Sequence, residues 1–160
     1  MFKKFTTREL VFLSLMISLN VILTRVASIR IAYGGIEGFR IGFGSFPTIL
    51  AGILVGPIGG GIVGGLGDAI GYYINPMGPF VPHFSLSAAL TGVLPALVLL
   101  PVRGSTPKYW QLFGAIALGQ ISTSIILTPY LLEEIFAIPM FATLPGRILS
   151  LLVEIPVYTG

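Results

Sequence analysis

Residues 45–71 read SFPTILAGILVGPIGGGIVGGLGDAIG, and the class of fold follows from them. Asp68 is the one charge in these 27 residues. A single helix of that length would be about 40 Å long, well beyond the ~30 Å hydrocarbon core of a bilayer. Gly56-Pro57 is a turn-forming dipeptide near its middle. The stretch therefore reads as two helices, over 44–55 and 57–74, joined by a tight hairpin. Its glycines recur at the spacings Gly56/Gly60, Gly60/Gly64 and Gly67/Gly71. Small residues four apart let helix backbones approach closely, and dense packing within the chain explains them better than a dimer face.

The sequence on either side has the same character. Of 160 residues, 54% are hydrophobic and 9% charged, against about 25% charged in a soluble domain. Nine basic and six acidic side chains are too few to cover a soluble core. Apolar runs suit six spans, about 8–27, 44–55, 57–74, 84–102, 109–127 and 143–160. The expected fold is all-α, a polytopic six-transmembrane-helix bundle forming a single integral membrane domain over 1–160. Thr6 and Glu9 have capping-box spacing, which starts the first helix near Thr7. Its basic start lacks a clean small-residue cleavage site, so it reads as a retained span rather than a signal peptide. Polar or proline-punctuated connections fall at 28–43, 75–83, 103–108 and 128–142.

Basic residues in short connections set the orientation. Lys3, Lys4 and Arg8 precede the first span, and Arg103 and Lys108 lie between the fourth and fifth. With both termini cytoplasmic these groups fall inside, while Glu133 and Glu134 fall outside. Arg25, Arg30, Arg40 and Arg147 then lie on or near the external side, against the rule. Four guanidinium groups converging there would suit an anionic ligand with carboxylate or phosphate groups. The plainer reading is headgroup-level charge, with Arg25 snorkelling outward. Arg147 fits that reading least, because it lies several residues into the last span. Asp68 and Glu154 are also within spans, and a structural role as arginine partner or helix cap is preferred for them over a coupling role. Tyr33, Phe39, Phe43, Phe46, Phe80, Phe84, Phe136 and Phe141 cluster in the outer regions, as an interfacial belt or as walls for a planar ligand.

Other chemistries lack their residues. The chain has no cysteine and a lone His83, so neither thiolate chemistry nor a histidine metal site is expected. Neither a Walker phosphate loop, a Gly-x-Ser-x-Gly elbow nor a His-Glu-x-x-His pair occurs. No enzymatic activity and no bound cofactor are expected. Small residues at Ser14 and Ser18 in the first span, and at Ala88 and Gly92 in the fourth, form smooth strips suited to docking a second membrane protein.

Several runs together carry a family resemblance: FRIGFGSFP at 39–47, LVGP at 54–57, GIVGGLGD at 61–68, PMGPF at 76–80, FSLSAALTG at 84–92 and LPGR at 144–147. They resemble the substrate-binding S components of energy-coupling factor (ECF) vitamin transporters, and look most like the folate-specific FolT branch. The resemblance implies six helices with both ends cytoplasmic and a pocket on the external side, covered by the connection 28–43. It also implies partners, a transmembrane T component and two ATPase subunits that use the ATP, and a prokaryotic cell membrane. In that family AxxxA motifs on the first helix dock the T component; Ser14 and Ser18 stand in the corresponding places. Folate has a planar pterin and two tail carboxylates. The resemblance assigns Arg40 and Arg147 to its charge, with Arg25 and Arg30 next, and Phe43, Phe46 and Phe84 to stacking. Polar groups such as Asn20, Ser87 or Tyr130 would hold the ring. An S component for another vitamin, or a non-transporting assembly subunit of a membrane complex, remain the alternatives.

Overall fold

The computed structural model describes residues 5–26, 29–33, 36–41, 43–76, 80–102 and 107–160, and for the strands 29–33 and 36–41 it describes the backbone. Side chains expected to act at Arg30 and Arg40, the aromatic rings of Tyr33 and Phe39, and the basic residue Arg103 lie outside the described residues.

Helix α1 (Thr7–Arg25) opens with the expected capping box. The Thr6 hydroxyl accepts from the Glu9 N–H at 3.4 Å, and the Glu9 carboxylate accepts from the Thr6 N–H at 2.9 Å. Strands β1 (Ile29–Tyr33) and β2 (Ile36–Ile41) follow as an antiparallel hairpin that sets Arg30 opposite Arg40, with an irregularity after Ile31. Among the described residues these are the only strands, and they lie within the long connection read from the sequence. Helices α2 (Ser45–Val55) and α3 (Pro57–Ile74) are separated by Gly56 alone. Its φ of 116° lies where L side chains are strongly disfavoured, and Pro57 starts α3 with its φ already helical. Helix α4 (Pro82–Val98) ends in a short 3-10 turn, Leu100–Val102, four residues earlier than the expected span because Pro101 disfavours continued helix before it.

The fifth rod runs past its expected end at Leu127. Helix α5 (Tyr109–Gln120) passes into a π segment (Ile121–Leu127) and then α6 (Thr128–Phe136) without a break. Pro129 lacks an N–H, and the widened register accommodates it so that the rod does not stop. Ala137, at φ 52°, closes α6: its N–H bonds Glu133 O and the Ile138 N–H bonds Leu132 O. Helix α7 (Met140–Thr159) completes six helical rods among the described residues.

Three rods, Thr7–Arg25, Tyr109–Phe136 and Met140–Thr159, are long and apolar enough to cross a bilayer. At 11 residues α2 is only ~16 Å long, so it reaches about halfway across a ~30 Å core. The bundle is apolar outside and buries polar side chains beside its apolar clusters. Trp110, Phe141, Leu152, Leu15 and Leu54 are exposed, while Asn20, Thr48, Thr91, Gln120, Thr123 and Glu154 are buried. One apolar cluster joins Leu13, Ala51, Val55 and Val63; another joins Ile49, Ile116 and Tyr158. Helices α2 and α3 approach α4 at backbone distance. A Cβ on Gly52 would strike Gly92 O, and one on Gly64 would strike Ala88 O and come within 2.9 Å of the Ala89 Cα.

Candidate binding site

The helices enclose a cavity of about 210 Å³. That is more than ten times what one water needs, so the space suits a ligand rather than isolated solvent. Its walls come from every rod: Asn20, Thr24 and Arg25 of α1, Thr48 of α2, Asp68 and Tyr72 of α3, Phe84, Ser87 and Thr91 of α4, Thr123, Ser124, Thr128, Leu132 and Phe136 of the fifth rod, and Arg147, Ser150 and Glu154 of α7.

On the α1 side the polar groups are tied to the frame. Asn20 Nδ2 donates to Gly44 O at 2.7 Å and to Thr48 Oγ1 at 2.8 Å, which fixes the start of α2. Arg25 Nη2 donates to the Asp68 carboxylate and to Asp68 O, both at 3.3 Å, and Nη1 donates to Asn75 O. Ser85 Oγ donates to the other carboxylate oxygen of Asp68 at 2.8 Å. Gly71 leaves room for this guanidinium, since a Cβ there would lie 2.7 Å from Arg25 Nε. Arg25 is thus turned inward against a carboxylate, and the structural reading of Asp68 as arginine partner holds.

The opposite wall is a ladder of hydroxyls. Ser87 Oγ and Thr128 Oγ1 are 3.1 Å apart, and Thr91 Oγ1 lies 3.1 Å from Thr123 Oγ1 and 3.0 Å from Ser87 O. Thr123 Oγ1 in turn donates to Gly119 O at 2.9 Å. Lower on α5, Gln120 Nε2 donates to Glu154 Oε2 at 3.3 Å, while the buried Gln120 Oε1 has no partner among the described residues. The Phe84 and Phe136 rings stack with centroids 6.1 Å apart and planes 3° from parallel. Arg147, Ser150 and Glu154 share one face of α7, at positions i, i+3 and i+7. Among the described residues the lining carries two arginines and two carboxylates. No group of three His, Cys, Asp or Glu is placed to hold a metal among those residues.

The expected site residues divide. Arg25, Phe84, Ser87 and Arg147 line the cavity. Phe46 does not: it packs with Ile49 and Ile53 toward Ile116 and Tyr158. On α2 the cavity receives Ser45 and Thr48 instead, because residues three apart share one face of a helix and Phe46 falls on the next. Phe43 stands edge-on to Tyr158, 40% exposed, and Tyr130 points away at 58% exposed. Of the docking strips, Ser14 and Ser18 are exposed on α1. Gly92 is buried against Gly52 and Gly60, and Ala88, half-buried, packs its carbonyl on Gly64 and lines the cavity, so this strip faces the chain's own helices. The sequence reading missed Thr24, Thr48, Thr91, Thr123, Ser124, Thr128 and Ser150 as lining residues. The spacings Ser87/Thr91 and Ser124/Thr128, each four apart on one helical rod, were the signal available.

An apolar-surfaced helical bundle closed around a polar, aromatic-walled cavity defines a membrane-embedded binding protein for a small organic ligand. Known proteins narrow this further. The family described as ECF-type riboflavin transporter, S component, matches residues 4–160. The chain belongs to that family of S components, which are parts of transporters and not enzymes. The folate transporter FolT of Clostridium novyi (strain NT) is 36% identical over 85 residues, spanning 53% of this chain and 46% of that protein. The aligned stretch is thus about half the length of this curated relative. Among solved structures, FolT bound with folic acid superposes with a TM-score of 0.79 at 22% identity, covering 97% of this chain and 90% of that one. The S component of a bacterial ECF transporter gives 0.64 at 19% identity, covering 95% and 89%. Both superpositions support the fold.

Proposed function

We propose that this chain captures folate in an outward-facing pocket, as the S component of an ECF importer in the prokaryotic cell membrane. Uptake is then driven by ATP hydrolysed on two ATPase subunits, coupled through a transmembrane T component. The observation that carries the reading is the cavity itself, where Arg25 and Arg147 line the same space as the stacked pair Phe84 and Phe136. A planar, donor-rich ring with an anionic tail matches such a lining. The identity to a folate transporter over half the chain supports the same ligand. With the N-terminus cytoplasmic, α1 carries Arg25 to the outer half of the bundle, and Arg30 and Arg40 sit on the hairpin that follows it. They complete the positive charge that two tail carboxylates call for.

A second reading has its own support: the matched family is described by riboflavin, an uncharged ring system, and the described lining residues carry balanced charge. Calorimetric titration of the purified chain in detergent with folate, riboflavin, thiamine and biotin separates the two. Saturable folate binding, lost in Arg147→Ala, is the expected result. Riboflavin binding without folate binding would keep the family and replace the ligand, and binding of none would favour the assembly-subunit reading.

A further inference from the structure

The π segment does something to the cavity wall that the lining residues alone do not reveal. In a π register each backbone N–H reaches back five residues, and the Thr128 N–H is bonded to Thr123 O. The Thr128 hydroxyl donates to that same oxygen at 2.7 Å. The next carbonyl along, that of Ser124, calls for the N–H of residue 129. That residue is Pro129, which has none. The Thr128 N–H, which an ordinary α register would supply to Ser124 O, is already engaged one residue earlier. Ser124 lines the cavity. A backbone acceptor released at membrane depth is tolerated where it borders a cavity, and transporters use such acceptors to coordinate ions.

The neighbourhood gives the released oxygen a chemical role. Gln120, four residues before Ser124 on the same rod, is hydrogen-bonded to Glu154 of α7, whose carboxylate lines the same cavity as Ser124. A 2-amino-4-oxopyrimidine edge, such as that of a pterin, presents three N–H bonds: one on the ring and two on the exocyclic amino group. The two oxygens of a carboxylate accept two of them, and the third needs a neutral acceptor. We propose that the Ser124 carbonyl, left without an N–H by Pro129, accepts a hydrogen bond from the exocyclic amino group of the bound heterocycle. This rests on the folate reading and adds to it a backbone group that selects amino-bearing rings. The hydroxyl bonds Thr91–Thr123 and Ser87–Thr128 hold the π segment against α4, so the oxygen is fixed before ligand arrives.

The test compares folate with an analogue whose 2-amino group is replaced by methyl, titrated into wild type and Pro129→Ala. Alanine restores an N–H that can occupy Ser124 O. Folate affinity should fall roughly tenfold in Pro129→Ala, the scale of one hydrogen bond, while the analogue binds wild type and variant alike. An equal loss for both ligands, or no loss for either, overturns the assignment. If Pro129→Ala does not fold, the carbonyl-carbon resonance of Ser124 in labelled wild type decides. It should move with folate and stay with the analogue, and the same response to both overturns the proposal. Failure of wild type to bind folate at all overturns the folate reading and this assignment with it. Folate binding without preference over the analogue overturns the assignment alone.

Discussion

Two stripes run side by side along α4 and meet their neighbours in opposite ways. Ala88, Gly92 and Ala96 face α2 and α3, where Gly52, Gly60 and Gly64 bring backbone against backbone. Ser87, Thr91 and Pro95 face the fifth rod, where hydroxyl pairs at 3.1 Å hold the helices at side-chain distance and Pro95 rests against Gly119. The first stripe closes space and the second keeps it open, so the cavity develops on the hydroxyl side. In lipid the hydrophobic effect does not drive helices together, and association relies on close packing and interhelical hydrogen bonds. This protein assigns those two devices to different faces of one helix.

The largest effect is expected on the glycine stripe. Gly64→Ala places a methyl group against Ala88 O, which is backbone and cannot swing aside, and should destabilise by about 3 kcal/mol. Gly65→Ala, one residue on, meets Ala89 Cβ at 3.7 Å and Ser85 O at 3.9 Å, both ordinary contacts, and should be neutral or stabilising by up to about 1 kcal/mol through helix propensity. Thermal unfolding in detergent measures both. Equal stability of the two variants would mean that α3 and α4 are not in backbone contact.

An intermediate effect is expected where α1 meets α3. Arg25 is buried and pairs with Asp68, whose side chain is 22% exposed. Arg25→Ala leaves that carboxylate with Ser85 but without the guanidinium, and should destabilise by about 2 kcal/mol. Asp68→Asn leaves the guanidinium without its counter-charge but should cost less, because Arg25 keeps the carbonyls of residues 68 and 75 and the asparagine oxygen can still accept from it. The order of the two melting temperatures is the readout. A more harmful Asp68→Asn would show that the carboxylate, not the arginine, organises this wall.

Local signals were legible in the sequence, and signals that need a partner were not. Thr6 and Glu9 announce the start of α1, and Gly56-Pro57 the α2–α3 hairpin, because each is decided within a few residues. The close approach of α3 to α4 also follows from glycine spacing. Arg25 and Asp68 are 43 positions apart, so nothing local marks them as a pair. Phe46 was misread as a wall because aromatic character was noted without its helical phase, which puts Ser45 and Thr48 on the cavity face. Pro129 normally ends a helix, and a widened register that carries the rod past it has no sequence signature of its own. For the β-hairpin the sequence offers a weak local signal, Gly34-Gly35 as a turn between short apolar runs.

The smallest effect separates hydroxyls that bridge helices from hydroxyls that do not. Thr123 donates to Gly119 O of its own helix, and Thr91 has both Thr123 Oγ1 and Ser87 O within reach of its one hydroxyl proton. Thr91→Val and Thr123→Val should each destabilise by about 1 kcal/mol, and the double variant by less than the sum, with a coupling of roughly 0.5 kcal/mol. Ser14 and Ser18 are the control: exposed on α1, they donate to Leu10 O and Ser14 O of their own helix at 2.9 and 3.0 Å. Ser14→Ala and Ser18→Ala should change stability by no more than about 0.5 kcal/mol, with no coupling to Thr91. Thermal unfolding of the set places the hydroxyl stripe on this scale. If the threonine pair shows no more coupling than the serines, the 3.1 Å contacts do not hold the cavity wall apart. The spacing between α4 and the fifth rod would then rest on Pro95 against Gly119 and on the stacked rings of Phe84 and Phe136.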